Sequence, residues 1–172
     1  MNPVIENLLT RRSVRAFQEK EIPEAQLEQI LEAARYAPSA MARQTWKFTA
    51  VVNREKIQKL AAAMSAELGR SGYDMYSPQV LILPSNEVDS KFGRDDNACA
   101  LENIFLAAWS FGIGSVWINQ LRDVCDRPAI RSILTEWGIP ANHVVYGMAA
   151  LGYPASSEKK AVEKIGKTAV VR

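Results

Sequence analysis

Apolar residues return every third or fourth position in some stretches of this chain and every second position in others, and the change of period divides it into elements. Asn2 and Pro3 supply a cap and a tolerated first position for a helix whose Ile5, Leu8 and Leu9 share one face. Pro23 and Glu24 open a second helix, with Leu27, Ile30, Leu31 and Ala34 at helical spacing, and Pro38 forbids its continuation. Residues 37–45 then read as a loop. At Trp46, Phe48, Ala50 and Val52 the period falls to two, with Lys47 and Thr49 between, so a strand is expected. Asn53 caps the next helix, which runs to about Gly69, and a loop of Gly, Tyr and Pro leads to a strand over 80–83.

The helix predicted from Asp95 to Phe111 is the most apolar. Its Ala98, Leu101, Ile104, Phe105, Ala108 and Trp109 spread around most of the circumference, the mark of burial on more than one side. A partner subunit would supply the second surface as readily as the same chain, so a homodimer is expected. Ser115 to Ile118 reads as a short strand, Pro128 to Trp137 as a helix and 144–151 as another strand. The tail after Gly152-Tyr153-Pro154 carries Lys159, Lys160, Lys164 and Lys167 ahead of the β-prone Thr168 to Val171, and reads as an extension leaving the core. Taken alone, the interleaving of strands with helices points to a parallel α/β sheet.

At 172 residues and 48% hydrophobic content the chain suits one compact domain, 1–172, with a core of its own and no internal repeat. A net charge of +2 from 21 basic and 19 acidic residues is too balanced for a general polyanion binder, so nucleic acid is not an expected partner. Cys99 and Cys125 form no C-x-x-C, and the first residues lack a charged segment followed by an apolar run, which fits a reduced cytoplasm. Charge interrupts every apolar stretch before the roughly 20 residues of a membrane span, so no membrane association is expected.

Candidate chemistry is sparse. His143, the only histidine, stands at the start of a strand and reads as a surface or strand-edge residue. Zinc-ligand spacing and a G-x-x-x-x-G-K-S/T loop are absent from the sequence. Asp95 and Asp96 read as caps of the helix they begin. Gly112-Ile113-Gly114 lacks the third glycine of a dinucleotide fingerprint and follows a helix; it ends that helix in a left-handed turn or lets a planar ligand approach the backbone. Arg11-Arg12-Ser13-Val14-Arg15 packs three guanidiniums and a hydroxyl into five residues. Such an array suits a phosphate, and equally suits the negative end of the preceding helix. With no convincing nucleophile, acid–base pair or metal site, the chain can still be an enzyme if a cofactor carries the reaction.

Several segments in order resemble the FMN-dependent nitroreductase family, in its small members, over nearly the whole length. They are Arg11 to Arg15, then Ala37-Pro38-Ser39-Ala40-Met41-Ala42-Arg43-Gln44-Thr45-Trp46-Lys47-Phe48, then 95–114 with its Gly-x-Gly end continuing into Ser115-Val116-Trp117-Ile118, and the closing Leu151-Gly152-Tyr153-Pro154 with its lysines. The resemblance implies an α+β fold, a mostly antiparallel central sheet surrounded by helices, and overrides the parallel-sheet reading. It implies a homodimer with FMN at two interface sites, NADH or NADPH as co-substrate and a small electron-poor acceptor. Arg11, Arg12 and Ser13 would hold the phosphate, with Lys164 or Lys167, and Arg15 would lie nearer the flavin pyrimidine edge. Pro38, Ser39 and Ala40 would contact the ring from one subunit, with Gln44 close by, and Gly114 and the backbone of Trp117, Ile118 and Asn119 are expected near the flavin too. Ala42 and Thr45 depart from the family's usual Asn and Pro, which bears on substrate preference.

Overall fold

The computed structural model describes residues 1–156 and 163–172. Its helices are α1 (Pro3–Thr10), α2 (Glu24–Arg35), α3 (Arg54–Leu68), α4 (Gly93–Ser110) and α5 (Pro128–Glu136). Its strands are β1 (Trp46–Val51), β2 (Val80–Glu87), β3 (Gly114–Ile118), β4 (His143–Val144) and β5 (Met148–Gly152). The strands form one sheet in the order β1-β2-β5-β3, with β4 also paired to β2, and every pairing among these strands is antiparallel. The architecture is therefore α+β, as the resemblance implied, and the parallel sheet read from alternation is corrected.

Local chemistry accounts for most boundaries. The Asn2 side chain accepts from Val4 N and the Asn53 side chain from Lys56 N, satisfying amides that a helix start leaves unpaired. Gly69 and Gly112 take φ of 60° and 72°, the left-handed turn in which glycine carries no Cβ penalty. Three boundaries differ from those predicted. β2 runs through Pro84 to Glu87, with Pro84 opposite Phe48 of β1 and, on the other edge, in the gap between β2's pairing with β5 at Val80 to Ile82 and its pairing with β4 at Asn86 and Glu87. The single strand expected over 144–151 is two, β4 and β5, separated by Val145 to Gly147. Thr168 to Val171 form no strand; the tail does leave the core, with residues 163–172 exposed throughout. Lys159 and Lys160 lie outside the described residues.

Two apolar clusters flank the sheet. One gathers Leu60, Met64, Leu81, Leu83, Leu134 and Met148 under α3 and α5; the other joins Ile30, Ala34, Ile82, Leu101, Ile104 and Ala149 under α2 and α4. The second explains the apolar girth of α4. Its Ile104 and Ala108 meet the sheet, Asn103 donates to the α2 carbonyl of Ala33 at 2.8 Å, and the Leu106 carbonyl accepts from Asn7 of α1 at 2.9 Å. Most of the circumference is thus covered within the chain, whereas α1 has no buried residue and exposes Val4, Ile5, Leu8 and Leu9.

Candidate functional site

The segment after α1 leaves the helix in extended conformation, with ψ of 140° at Arg11, and runs beside β3 through a parallel bridge between Ser13 and Ser115. Val14 N donates to the Ser115 carbonyl at 2.8 Å. Successive side chains of an extended backbone point to opposite sides, so 11, 13 and 15 share one face and 12 and 14 the other. The inner pair is structural. Val14 packs so closely on Gly114 that a Cβ there would lie 2.6 Å from a Val14 methyl. Arg12 Nη1 donates to the carbonyls of Leu9 (2.8 Å) and Arg11 (2.7 Å), closing the end of α1. The outer three are available to a ligand. The Ser13 residue is exposed, the Arg11 guanidinium rests 5.8 Å from the Phe105 ring centroid with Glu102 at 3.6 Å, and Arg15 lies 5.9 Å from the ring centroid of Tyr76.

Asp96, buried in the first turn of α4, does not cap its helix. Its carboxylate accepts from Ala40 N at 2.9 Å and from Ser39 Oγ at 3.3 Å, and Ser39 Oγ in turn accepts from Gln44 N at 2.9 Å. The cap reading of Asp96 is therefore corrected: a carboxylate at the positive end of α4 is instead turned sideways to anchor the 38–44 loop. That loop needs an anchor. Met41, Ala42 and Gln44 all have positive φ, a conformation that costs about 1–2 kcal/mol for each side-chain-bearing residue.

Viewed down α4, Asp96 and Asn103 face α2 and the 38–44 loop, whereas Arg94, Ala98, Leu101 and Phe105 fall on the opposite side at 3.6 residues per turn. The latter side borders a cleft of about 250 Å³ whose other wall includes Trp117, Asn119 and Arg122. Trp117 is 42% exposed and lies 6.0 Å from Phe105, centroid to centroid. Its ring rests on Gly147, where a Cβ would stand 2.3 Å from the indole nitrogen.

A second strained segment adjoins this region. Met75, Tyr76 and Ser77 have φ of 55°, 66° and 47° in succession. Tyr73, just before it, donates from its phenol to Gln120 Oε1 at 3.2 Å, and the same oxygen accepts from Asn119 N at 3.1 Å. Burial, followed by the neighbouring Tyr76, pushes the Tyr73 phenol up to about 12, so it remains a donor at any physiological pH.

Comparison with known proteins bears on what the region holds. The model of the nitroreductase family matches residues 8–153. This chain belongs to the nitroreductase family. A nitroreductase of Bacteroides fragilis with bound FMN is 41% identical and superposes with a TM-score of 0.92, covering all of both chains. An FMN-dependent nitroreductase of Clostridium difficile is 29% identical with a TM-score of 0.76, over 92% of this chain and 91% of that one. The NADPH-flavin oxidoreductase of Vibrio harveyi is 29% identical over 90% of this chain and 67% of its own length.

Within this chain, the residues singled out from sequence fall into separate groups. Arg11, Ser13 and Arg15 share one face beside β3, on the side of its exposed Trp117, with Asn119 just after the strand, whereas Gly114 packs against Val14 and the Ile118 side chain is buried in the core. Arg12 turns away. Pro38, Ser39, Ala40 and Gln44 lie across α4 from the cleft, and Lys164 and Lys167 lie in the exposed tail. Gly114 packs closely against Val14, which leaves no room for a side chain there. The two departures from the family pattern have local meaning. Thr45 Oγ1 donates to Asn86 Oδ1 at 2.7 Å, a bond proline could not make, and Ala42 occupies a left-handed position (φ 52°) that asparagine tolerates better. His143 does sit on a short strand, yet it is buried, its Nδ1 3.0 Å from Ser85 Oγ, so the surface reading is corrected. Sequence reasoning passed over Asp96 as an anchor, and Arg54, Tyr73 and Tyr76 altogether, because their partners are distant in the chain.

Proposed function

We propose that this chain is an FMN-dependent oxidoreductase that draws on NADH or NADPH and reduces a small electron-poor acceptor such as a nitroaromatic or quinone, with 1–172 as one FMN-binding domain. The observation that carries the reading is the division of the 11–15 segment, which leaves two guanidiniums and a hydroxyl on one accessible face, on the side of Trp117. FMN joins a phosphate to a planar ring, and the residues suit both parts. Arg11 and Ser13 would hold the phosphate with charge-assisted bonds, joined by Lys164 or Lys167 from the tail. Four residues of extended chain separate Arg11 from Arg15 by about 13 Å, so the two guanidiniums can serve opposite ends of an elongated ligand.

When bound, FMN supplies the redox chemistry, accepting hydride at N5 from the nicotinamide and passing it to the acceptor. The chain's own part is orientation and electrostatics. Arg15 at the pyrimidine edge would stabilise negative charge on the reduced ring and so raise its potential. Trp117 and the backbone of Ile118 and Asn119 would bound the ring on one side. Pro38, Ser39, Ala40 and Gln44 would bound it from a second copy, since within one chain α4 stands between them and the cleft. The homodimer also supplies cover for Val4, Ile5, Leu8 and Leu9 of α1, which are 44–67% exposed. Among the described residues no helix is long and apolar enough to cross a membrane, and both cysteines are free thiols, consistent with a cytoplasmic enzyme.

The purified protein should be yellow and release about one FMN per chain on denaturation, as the proposed site has one phosphate cradle per subunit. NADH or NADPH should bleach the flavin, and double-reciprocal plots of nucleotide against a quinone should be parallel, because donor and acceptor would take turns on one open ring face. FAD, or no flavin after incubation with FMN, overturns the cofactor. A flavin that neither nucleotide bleaches marks a store or redox sensor, and intersecting lines reject the shared face.

A further inference from the structure

Three consecutive non-glycine residues in the left-handed region persist only where their surroundings over-determine them. Around Met75 to Ser77 the restraints are plain. Met75 is fully buried, Asp74 Oδ1 accepts from Tyr76 N at 2.9 Å and the Asp74 carbonyl accepts from Ser77 N at 2.9 Å. From α3, Arg54 reaches over to donate to Ser77 Oγ at 3.2 Å and to the carbonyls of Ser77 and Pro78, both at 3.4 Å. What the strained backbone presents outward is the Tyr76 ring, against the Arg15 guanidinium. What it presents on its other flank is Tyr73, whose phenol holds the Gln120 amide oxygen on Asn119 N–H.

We propose that the 73–77 segment, latched by Arg54, is a positioning frame for the flavin edge, with Tyr76 fixing the direction of Arg15 and Tyr73 fixing Gln120 and Asn119. The proposal rests on the reading of Arg15 as a flavin contact. Arg15 is an exposed, long side chain that would otherwise sample many rotamers, and the face of an aromatic ring attracts a guanidinium and narrows that choice. The Asn119 amide, at the end of β3, is engaged by a neighbouring side chain rather than free to donate, so the Tyr73–Gln120 contact decides whether that N–H is offered to the ring. Arg54 and Tyr73 are positioning residues here, acting through others.

The test uses full-length holoenzyme and two readouts besides turnover, the FMN dissociation constant on dilution and the reduction potential of the bound flavin. Tyr76→Ala should weaken FMN binding about two- to five-fold and lower the potential, in the same direction as Arg15→Ala. Tyr76→Phe, which keeps the ring, should restore both. The Tyr76→Ala/Arg15→Ala pair should match Arg15→Ala alone, because the ring has nothing left to position. Arg54→Ala should shift potential and affinity the same way through the latch, without touching the site. Additive effects in the pair, or a normal potential in both Tyr76→Ala and Arg54→Ala while Arg15→Ala lowers it, overturn the frame. If Arg15→Ala itself moves neither readout, the assignment of Arg15 falls and the frame with it, even where the protein still binds FMN.

Discussion

Three guanidiniums within five residues do different work because an extended backbone turns successive side chains to opposite sides. Arg12 closes the end of α1, so Arg12→Ala should lower stability by about 1 kcal/mol in a denaturant titration and leave FMN affinity unchanged. Arg11→Ala should do the reverse, weakening FMN binding about 10- to 100-fold at constant stability. Equal affinity losses in the two would mean that both heads reach the phosphate. His143 offers a residue-scale test against pH. Burial holds its imidazole below the ordinary value, opposed by Glu87 and reinforced by Lys47 and Arg131. The unfolded chain therefore binds the proton more readily, and stability should be complete above the unfolded value near 6.5 and fall as pH drops through it towards the lower folded value. Thermal denaturation between pH 8 and pH 5 should show that loss, and His143→Asn should flatten this part of the profile.

At the scale of elements, α4 organises the molecule by presenting different chemistry to each side. The buried Asp96 offers the sharpest test, since its two hydrogen bonds pin Ser39 and Ala40 to the helix. Asp96→Ala should cost about 1–3 kcal/mol and, more tellingly, open residues 41–44 to proteolysis, as their left-handed backbone would relax once untethered. Asp96→Asn should keep part of the anchor. Cleavage at an unchanged rate in Asp96→Ala would show that the loop is held by other means. The helical and strand periods were legible here, and the caps at Asn2 and Asn53 and the left-handed turn at Gly112 fell where read. Asp96 was not, because a carboxylate in a first turn satisfies the rule for a cap whether or not it is pointed at the helix, and only its packing against a loop more than fifty residues earlier settles the direction.

At the scale of the whole molecule, the proposed second copy would account together for the exposed apolar residues of α1, the exposed tail and the separation of the 38–44 loop from the cleft. Leu8→Glu with Leu9→Glu should yield a folded monomer by light scattering at micromolar concentration, with FMN lost because half the site's wall is gone. A wild-type monomer that retains FMN would reject the shared site, and a double variant that stays dimeric would move the interface away from α1.

The order of helices and strands, the caps, the helix-ending glycine and the membership of a flavin-binding family were set by local patterns of hydrophobicity, turn residues and short motifs, which act over a few positions and so can be read along the chain. Antiparallel pairing, the split of 144–151 around its unpaired middle, the inward turn of His143, the use of Asp96 as an anchor and the assembly of Arg54, Tyr73, Tyr76 and Arg15 in one place were decided only in three dimensions. Each depends on contacts between residues far apart in sequence. The spacing of residues along a chain carries no record of which distant surfaces will meet, because that is settled by burial and hydrogen bonding over the whole fold at once.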